Sequence, residues 1–148
     1  MINPDPILTA LDGQVECYRR LAKLAEMQHE FVQQSQTEQL LDVLGRRQEV
    51  LDRIGAFERT IAPAKRDWPA YLARLEAAQR GRAESLLAES RRLLEQITAA
   101  DRNDALVLQQ RKLNLGRQIH QAQNAKVLNR SYAAAAYATR PSRMDVQR

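Results

Sequence analysis

Apolar and small side chains recur every three or four residues along the first thirty positions of the chain. The series comprises Leu8, Leu11, Val15, Tyr18, Ala22, Ala25 and Val32, with His29 in the one remaining seam position. This spacing is typical of long helices that pack at shallow angles. Asp5 can cap the first turn and Pro6 suits the first helical position. The pattern therefore predicts a helix over about residues 5–33.

A second helix is predicted over about residues 36–61. Ser35 and Glu38 have the spacing of a capping box, in which the two side chains bond free backbone amides at a helix start. The buried stripe predicted for this helix comprises Leu40, Leu41, Leu44, Leu51, Ile54, Phe57 and Ile61. Pro63 and Pro69 then predict a loop, because proline disrupts a helix interior.

The third predicted helix spans about residues 70–137. Trp68, just before it, is expected to pack over the end of the bundle, with ligand stacking as the alternative. No Pro or Gly occurs between Arg82 and Leu115, which favours one continuous helix. The alternative is a break near residues 98–104, where Asp101 would cap a fourth helix that folds back.

The end of this third helix has a thin apolar face, formed by Val107, Leu108, Leu115, Ile119, Ala122, Ala125, Tyr132 and Ala136. Gly116 is expected to interrupt the helix there. A stripe this poor in large apolar groups gains little from permanent burial, so it is expected to meet a partner. The predicted partner-binding residues are Val107, Leu108, Arg111, Leu115, Ile119, Ala122, Lys126, Tyr132 and Tyr137. Residues 139–148 are expected to be a disordered tail.

Composition supports an all-α fold class. Five Gly, five Pro and 5% aromatic residues among 148 argue against sandwiches, barrels and βαβ folds. We therefore expect an antiparallel helical bundle or coiled coil of three long helices, the third very long or kinked. Its length fits a single domain, residues 1–138.

The net charge of +5 is unevenly distributed. Residues 102–148 hold nine Lys or Arg and two acidic residues, whereas residues 1–101 hold fourteen and sixteen. The basic side chains of the last third scatter around the predicted helix instead of lining one face. Nucleic-acid binding is therefore not expected, although it stays open as an alternative.

The sequence contains little that could build a catalytic, cofactor or metal site. It has no phosphate-binding glycine loop, and its two histidines, His29 and His120, lack a Cys or carboxylate at metal-ligand spacing. Asp101 and Asp104 are interpreted as solvated. Cys17 is the single cysteine, and neither a secretory signal nor a membrane span is apparent, which predicts a cytoplasmic protein. Because the sequence contains little that could build a catalytic site, we expect no enzymatic role.

Residues 36–61, QTEQLLDVLGRRQEVLDRIGAFERTI, resemble the second helix of the FlgN-type flagellar export chaperones. The stretches 93–97 and 106–119, with Ala100-Asp101 between them, look like the third helix of that family and of the related FliT-type chaperones. The Ala-rich, Tyr-bearing stretch 131–137 is similar to its end. One departure is the basic isoelectric point, near 9.8, since these chaperones are commonly acidic.

The resemblance implies a cytoplasmic chaperone for hook-associated or filament-cap proteins awaiting type III secretion, with no catalytic site and no cofactor. In such families a C-terminal helix captures a terminal helix of the client, which here implicates residues 107–137. The export apparatus is a further expected partner. The alternatives are a structural role for the same stripe, as a fourth bundle helix or in a homodimer, and a FliJ-like stalk component of the secretion apparatus.

Overall fold

The computed structural model describes residues 5–139, with side chains up to residue 135. Its helices are α1 (Pro6–Gln33), α2 (Thr37–Arg66), α3 (Trp68–Ala73) and α4 (Ala77–Thr139). No strand occurs within residues 5–139, and the predicted all-α helical bundle is confirmed. The tail predicted to be disordered lies, apart from Thr139, outside the described residues.

The chain divides into two compact units, residues 1–106 and residues 107–148. The first contains α1, α2, α3 and the beginning of α4. The second contains the rest of α4. Each unit is described by itself.

Helix α1 begins as predicted, because the Asp5 carboxylate accepts the Leu8 amide at 3.2 Å. Its end differs from the prediction. Ser35 adopts a left-handed conformation with φ of 55°, and the next amide, of Gln36, returns to the Phe31 carbonyl at 3.0 Å. This pattern closes a helix C-terminus. Ser35 therefore terminates α1, and the predicted capping box is wrong.

Helix α2 continues through Pro63 to Arg66, so the loop predicted to start after residue 61 is wrong. Proline removes the bond that its amide would donate four residues back, to Arg59. Both Pro63 and Arg59 are exposed, and water can satisfy the freed carbonyl there.

The predicted third helix is divided near its start. Asp67 caps the short helix α3 by accepting the Ala70 amide at 3.3 Å, and a turn over residues 74–76 precedes α4. The Gln79 side chain accepts the Glu76 amide at 3.3 Å at this second start. From there α4 is one α-helix. The alternative break near residues 98–104 does not occur, and Gly116 does not interrupt the helix.

The three long helices of the first unit, α1, α2 and the beginning of α4, alternate in direction. The turn at residues 34–36 makes α2 antiparallel to α1. Asp12 pairs with Arg82 and His29 pairs with Asp104, so α1 and α4 run parallel. The core between the helices of this unit includes Ala10, Leu11, Val15, Ile61, Ala64, Tyr71, Ala83, Leu86 and Leu93, together with Cys17, Leu21, Val50, Ile54 and Ile97.

The buried face of α2 is not the stripe that its leucines predict. Leu41, Leu44 and Leu51 are exposed, whereas Val43 and Val50 are buried. Positions 43, 47, 50, 54, 57, 61 and 64 follow alternating steps of four and three residues, the spacing of a helix seam. Arg47 occupies one of these positions, which conceals the seam in the sequence.

Helices α1 and α2 approach closely at Gly13. A Cβ atom built on Gly13 would lie 2.5 Å from Cζ of Phe57, a separation that packed atoms do not tolerate. The ring of Phe57 therefore occupies the space that a side chain at position 13 would need. This contact fixes the separation of the two helices at one end of the bundle.

Candidate partner-binding helix

The predicted partner-binding residues all belong to the second unit, the helical segment that begins at Val107. Leu108, Leu115 and Ile119 are separated by seven and four residues, so they share one face of the helix. Ala122 extends that face by a further step of three. The structure thus brings the central residues of the prediction together on one surface.

This surface is open to solvent. The exposed fraction is 43% for Leu108, 57% for Leu115, 51% for Ile119 and 68% for Tyr132. Among the other predicted residues, Val107 and Arg111 are half-buried, and Ala122 and Lys126 are exposed. Tyr137 belongs to α4, but its side chain lies outside those described.

The exposed apolar surface is wider than predicted. Leu113 is 50% exposed, Val127 is 59% exposed and Leu128 is 54% exposed. At 100° per residue these three lie away from the face of Leu115 and Ile119. The prediction does not include them because it follows a single stripe, and exposed apolar residues on both sides of a helix produce no periodic signal.

All the charged side chains of the same segment are basic. From residue 105 to residue 135 the sequence carries five Lys or Arg and no Asp or Glu. Such a stretch attracts acidic groups and repels basic ones at a distance set by the ionic strength. Any partner of this helix is therefore expected to carry acidic residues beside its apolar side chains.

A polar cluster at one end of the first unit overturns the prediction that Asp104 is solvated. Its side chain is only 2% exposed and lies 2.8 Å from Nδ1 of His29. Gln28 donates to its other oxygen at 3.2 Å. His29 therefore does have a neighbouring carboxylate, although the two residues are 75 positions apart in the sequence. Sequence spacing could not have shown this pairing.

The cluster continues through Arg47 in α2. Its Nη1 and Nη2 each lie 2.7 Å from the Asp101 carboxylate, and Nη1 also donates to Gln28 at 2.6 Å. The hydrogen bond to Asp101 raises the pKa of the guanidinium against the opposing effect of burial, and the charges of Asp101 and Asp104 add to the rise. Arg47 thus stays charged and joins α1, α2 and α4.

Metal-binding clusters and membrane-spanning helices are both absent from the part of the chain that the structure describes. Within residues 5–139, no three His, Cys, Asp or Glu side chains lie close enough together to hold a metal ion. No helix within that range is both apolar and long enough to cross a bilayer. Cys17 is buried as a free thiol.

Comparison of the chain with protein-family models, curated proteins and solved structures finds no match.

Proposed function

We propose that this chain is a cytoplasmic chaperone of flagellar type III secretion, which binds a hook-associated or filament-cap protein through residues 107–137. The flagellar part of the proposal rests on the resemblance of residues 36–61 and 93–119 to export chaperones. The binding part rests on the exposed apolar surface of the second unit. A role of this kind requires no catalytic step.

One observation carries the binding part of the proposal. Every side chain from residue 112 to residue 135 is exposed, although the segment includes six large apolar residues. These are Leu113, Leu115, Ile119, Val127, Leu128 and Tyr132. Soluble proteins rarely leave contiguous apolar surface in water unless another molecule covers it.

An amphipathic helix is the partner that this surface fits best. Such a helix would lay its apolar residues against Leu115 and Ile119, while one of its acidic residues meets Lys126, which lies on the same face. Helices that polymerise through the same apolar face would be held apart as long as they stay bound. The client would thereby remain competent for export.

The test is a pair of double substitutions on opposite sides of the helix. Leu115→Asp with Ile119→Asp places two charges on the proposed face, and Leu113→Asp with Leu128→Asp is the matched control. Binding of purified hook-associated and cap proteins is measured by calorimetry, with circular dichroism to check that both variants fold. We expect the first variant to lose binding at least tenfold and the control to keep it.

Equal binding by the wild type and the first variant would overturn the proposal. A specific observation also favours self-association as a second candidate function, since exposed leucines lie on both sides of the helix. Light scattering separates the two functions. A dimer that is dissociated by both double variants would support self-association, and a monomer that binds a client would support the chaperone.

A further inference from the structure

A cavity of about 250 Å³ lies within the first unit, and all four helices contribute to its wall. Trp68 of α3 provides an aromatic surface, and Leu87 and Leu94 of α4 provide aliphatic ones. This volume is just below the roughly 300–1,000 Å³ of pockets that bind drug-sized ligands. A small and largely apolar molecule would fill it.

A buried hydroxyl at the cavity has no partner. Ser90 is 6% exposed, and its Oγ makes no hydrogen bond within the described part of the chain. Buried hydroxyls are nearly always bonded, because leaving one unpaired costs stability. Rotation of the Ser90 side chain to another rotamer would let a ligand oxygen in the cavity supply the missing partner.

The cationic groups in the wall differ in whether their charge is already matched. Lys65 lies 3.0 and 3.1 Å from the two Glu58 oxygens, and Gln14 donates to the same carboxylate at 2.9 Å. Arg91, by contrast, meets no carboxylate among the residues described here. One positive charge at the cavity is therefore unmatched.

The carboxyl of Glu58 and the hydroxyl of Tyr18 keep their ordinary protonation states at neutral pH. Burial raises the pKa of the Glu58 carboxyl, but the bonds from Gln14 and Lys65 and the charge of Lys65 outweigh burial, and the pKa is lowered overall. Glu58 thus stays ionised and continues to match Lys65. Burial, together with Glu58 and Cys17, raises the pKa of the Tyr18 hydroxyl, which stays a neutral donor in the cavity wall.

We propose that this cavity binds a small apolar monocarboxylic acid. Its hydrocarbon part would lie among Trp68, Leu87 and Leu94, and its carboxylate would accept bonds from Arg91 and Ser90. Arginine suits a carboxylate because its planar fork matches the two oxygens. A doubly charged phosphate monoester is a poorer fit, because Lys65 is already matched by Glu58. The residues that line the site all belong to the first unit, so this proposal does not rest on the proposed role of residues 107–137.

The chain contains its own reporter for this binding. Trp68 is the only tryptophan in the sequence, so a ligand beside it changes the whole tryptophan emission. The full chain is titrated with 3-phenylpropionate and, separately, with the uncharged 3-phenylpropanamide, while the melting temperature is followed in parallel. We expect the acid to give a saturable emission change and a higher melting temperature, and the amide to bind about tenfold more weakly.

A pair of arginine substitutions tests which positive charge binds the carboxylate of the ligand. Arg91→Gln is expected to weaken binding of the acid about tenfold and to leave binding of the amide unchanged. Arg92→Gln is the control, because Arg92 pairs with Glu89 at 2.8 Å and does not line the cavity. Ser90→Ala should raise the melting temperature of the free protein and reduce the further rise that the acid produces.

Three results would overturn the proposal. One is the absence of both a saturable emission change and a melting shift with the acid. Another is equal affinity for the acid and the amide. The last is an Arg91→Gln variant that folds and binds the acid as tightly as the wild type.

Discussion

Arg47 and Asp101 form a bidentate ion pair between α2 and α4, with both nitrogen–oxygen distances at 2.7 Å. The arginine side chain is 12% exposed and the aspartate 38%, so the pair is partly shielded from water. Arg47 stands where the seam of α2 would otherwise place an apolar residue. Asp101 of α4 matches this charge, and Gln28 of α1 accepts a further hydrogen bond from the guanidinium.

Replacing Arg47 with alanine should lower the free energy of unfolding by about 2–3 kcal/mol, because Asp101 and Gln28 lose a shielded charged partner. Arg46→Ala is the matched control, since Arg46 pairs with Asp42 at the exposed surface and should change stability by less than about 1 kcal/mol. Urea denaturation of both variants makes the comparison. If both substitutions lowered the free energy of unfolding equally, the Arg47–Asp101 pair would stabilise the protein no more than an exposed ion pair does.

Gly13→Ala should destabilise the protein, because Phe57 must move away from the new methyl group. Gly45→Ala should instead stabilise it by up to about 1 kcal/mol, since alanine favours helix and a Cβ at position 45 meets nothing within 4 Å. Thermal melting of the two single variants measures the difference. If both variants raised the melting temperature, the close contact between Gly13 and Phe57 would be contradicted.

The hydroxyl of Tyr71 donates to Asp5, which links α3 to the cap of α1. Burial raises the pKa of this hydroxyl above its ordinary value of 10, and the bond to Asp5 and its charge raise it further. The folded chain therefore holds this proton more tightly than the unfolded chain. The resulting stability is complete below pH 10 and declines as the pH rises above it.

Tyr71→Phe should cost about 1 kcal/mol at neutral pH through the lost hydrogen bond. It should also remove part of the decline above pH 10. Melting temperatures of the wild type and the variant between pH 8 and pH 11, where about 10 marks the onset, test both effects. Parallel curves over this range would contradict the assignment to Tyr71.

A chain truncated after Leu106 should retain the stability of the first unit within about 0.5 kcal/mol. The truncation keeps Asp104 and its bonds, and apart from the half-buried Val107 and Arg111 the described side chains that it removes are exposed. Denaturant titration followed by Trp68 emission compares it with the full chain. A larger loss would mean that the second unit supports the fold of the first.

Much of the fold could be predicted from local physical rules. The capping of α1 by Asp5, the three-to-four spacing of its seam and the lack of Pro and Gly between Arg82 and Leu115 all have direct sequence signals. The errors came from residues whose neighbours are distant in the chain. Arg47 conceals the seam of α2 because its partner Asp101 follows 54 positions later, and Pro63 is tolerated because it lies on the exposed side of α2.

The candidate binding surfaces were predictable to different degrees. The stripe of Leu115 and Ile119 follows from helix periodicity alone, and Leu113 and Leu128 are visible in the sequence but belong to no stripe. The cavity beside Trp68 has no sequence signal, because residues from four helices line it. Only packing reveals that Ser90 is left without a partner.

The three-residue turn at Ser35 also bears on the order in which the chain folds. Helices α1 and α2 are adjacent in sequence, so their pairing closes a short loop, whereas pairing of Asp12 with Arg82 closes one of 70 residues. Short closures form first. We expect the α1–α2 hairpin to nucleate folding and α4 to dock afterwards. Truncating Val43 to alanine should then slow refolding, whereas truncating Leu93 should mainly accelerate unfolding, which stopped-flow kinetics can distinguish.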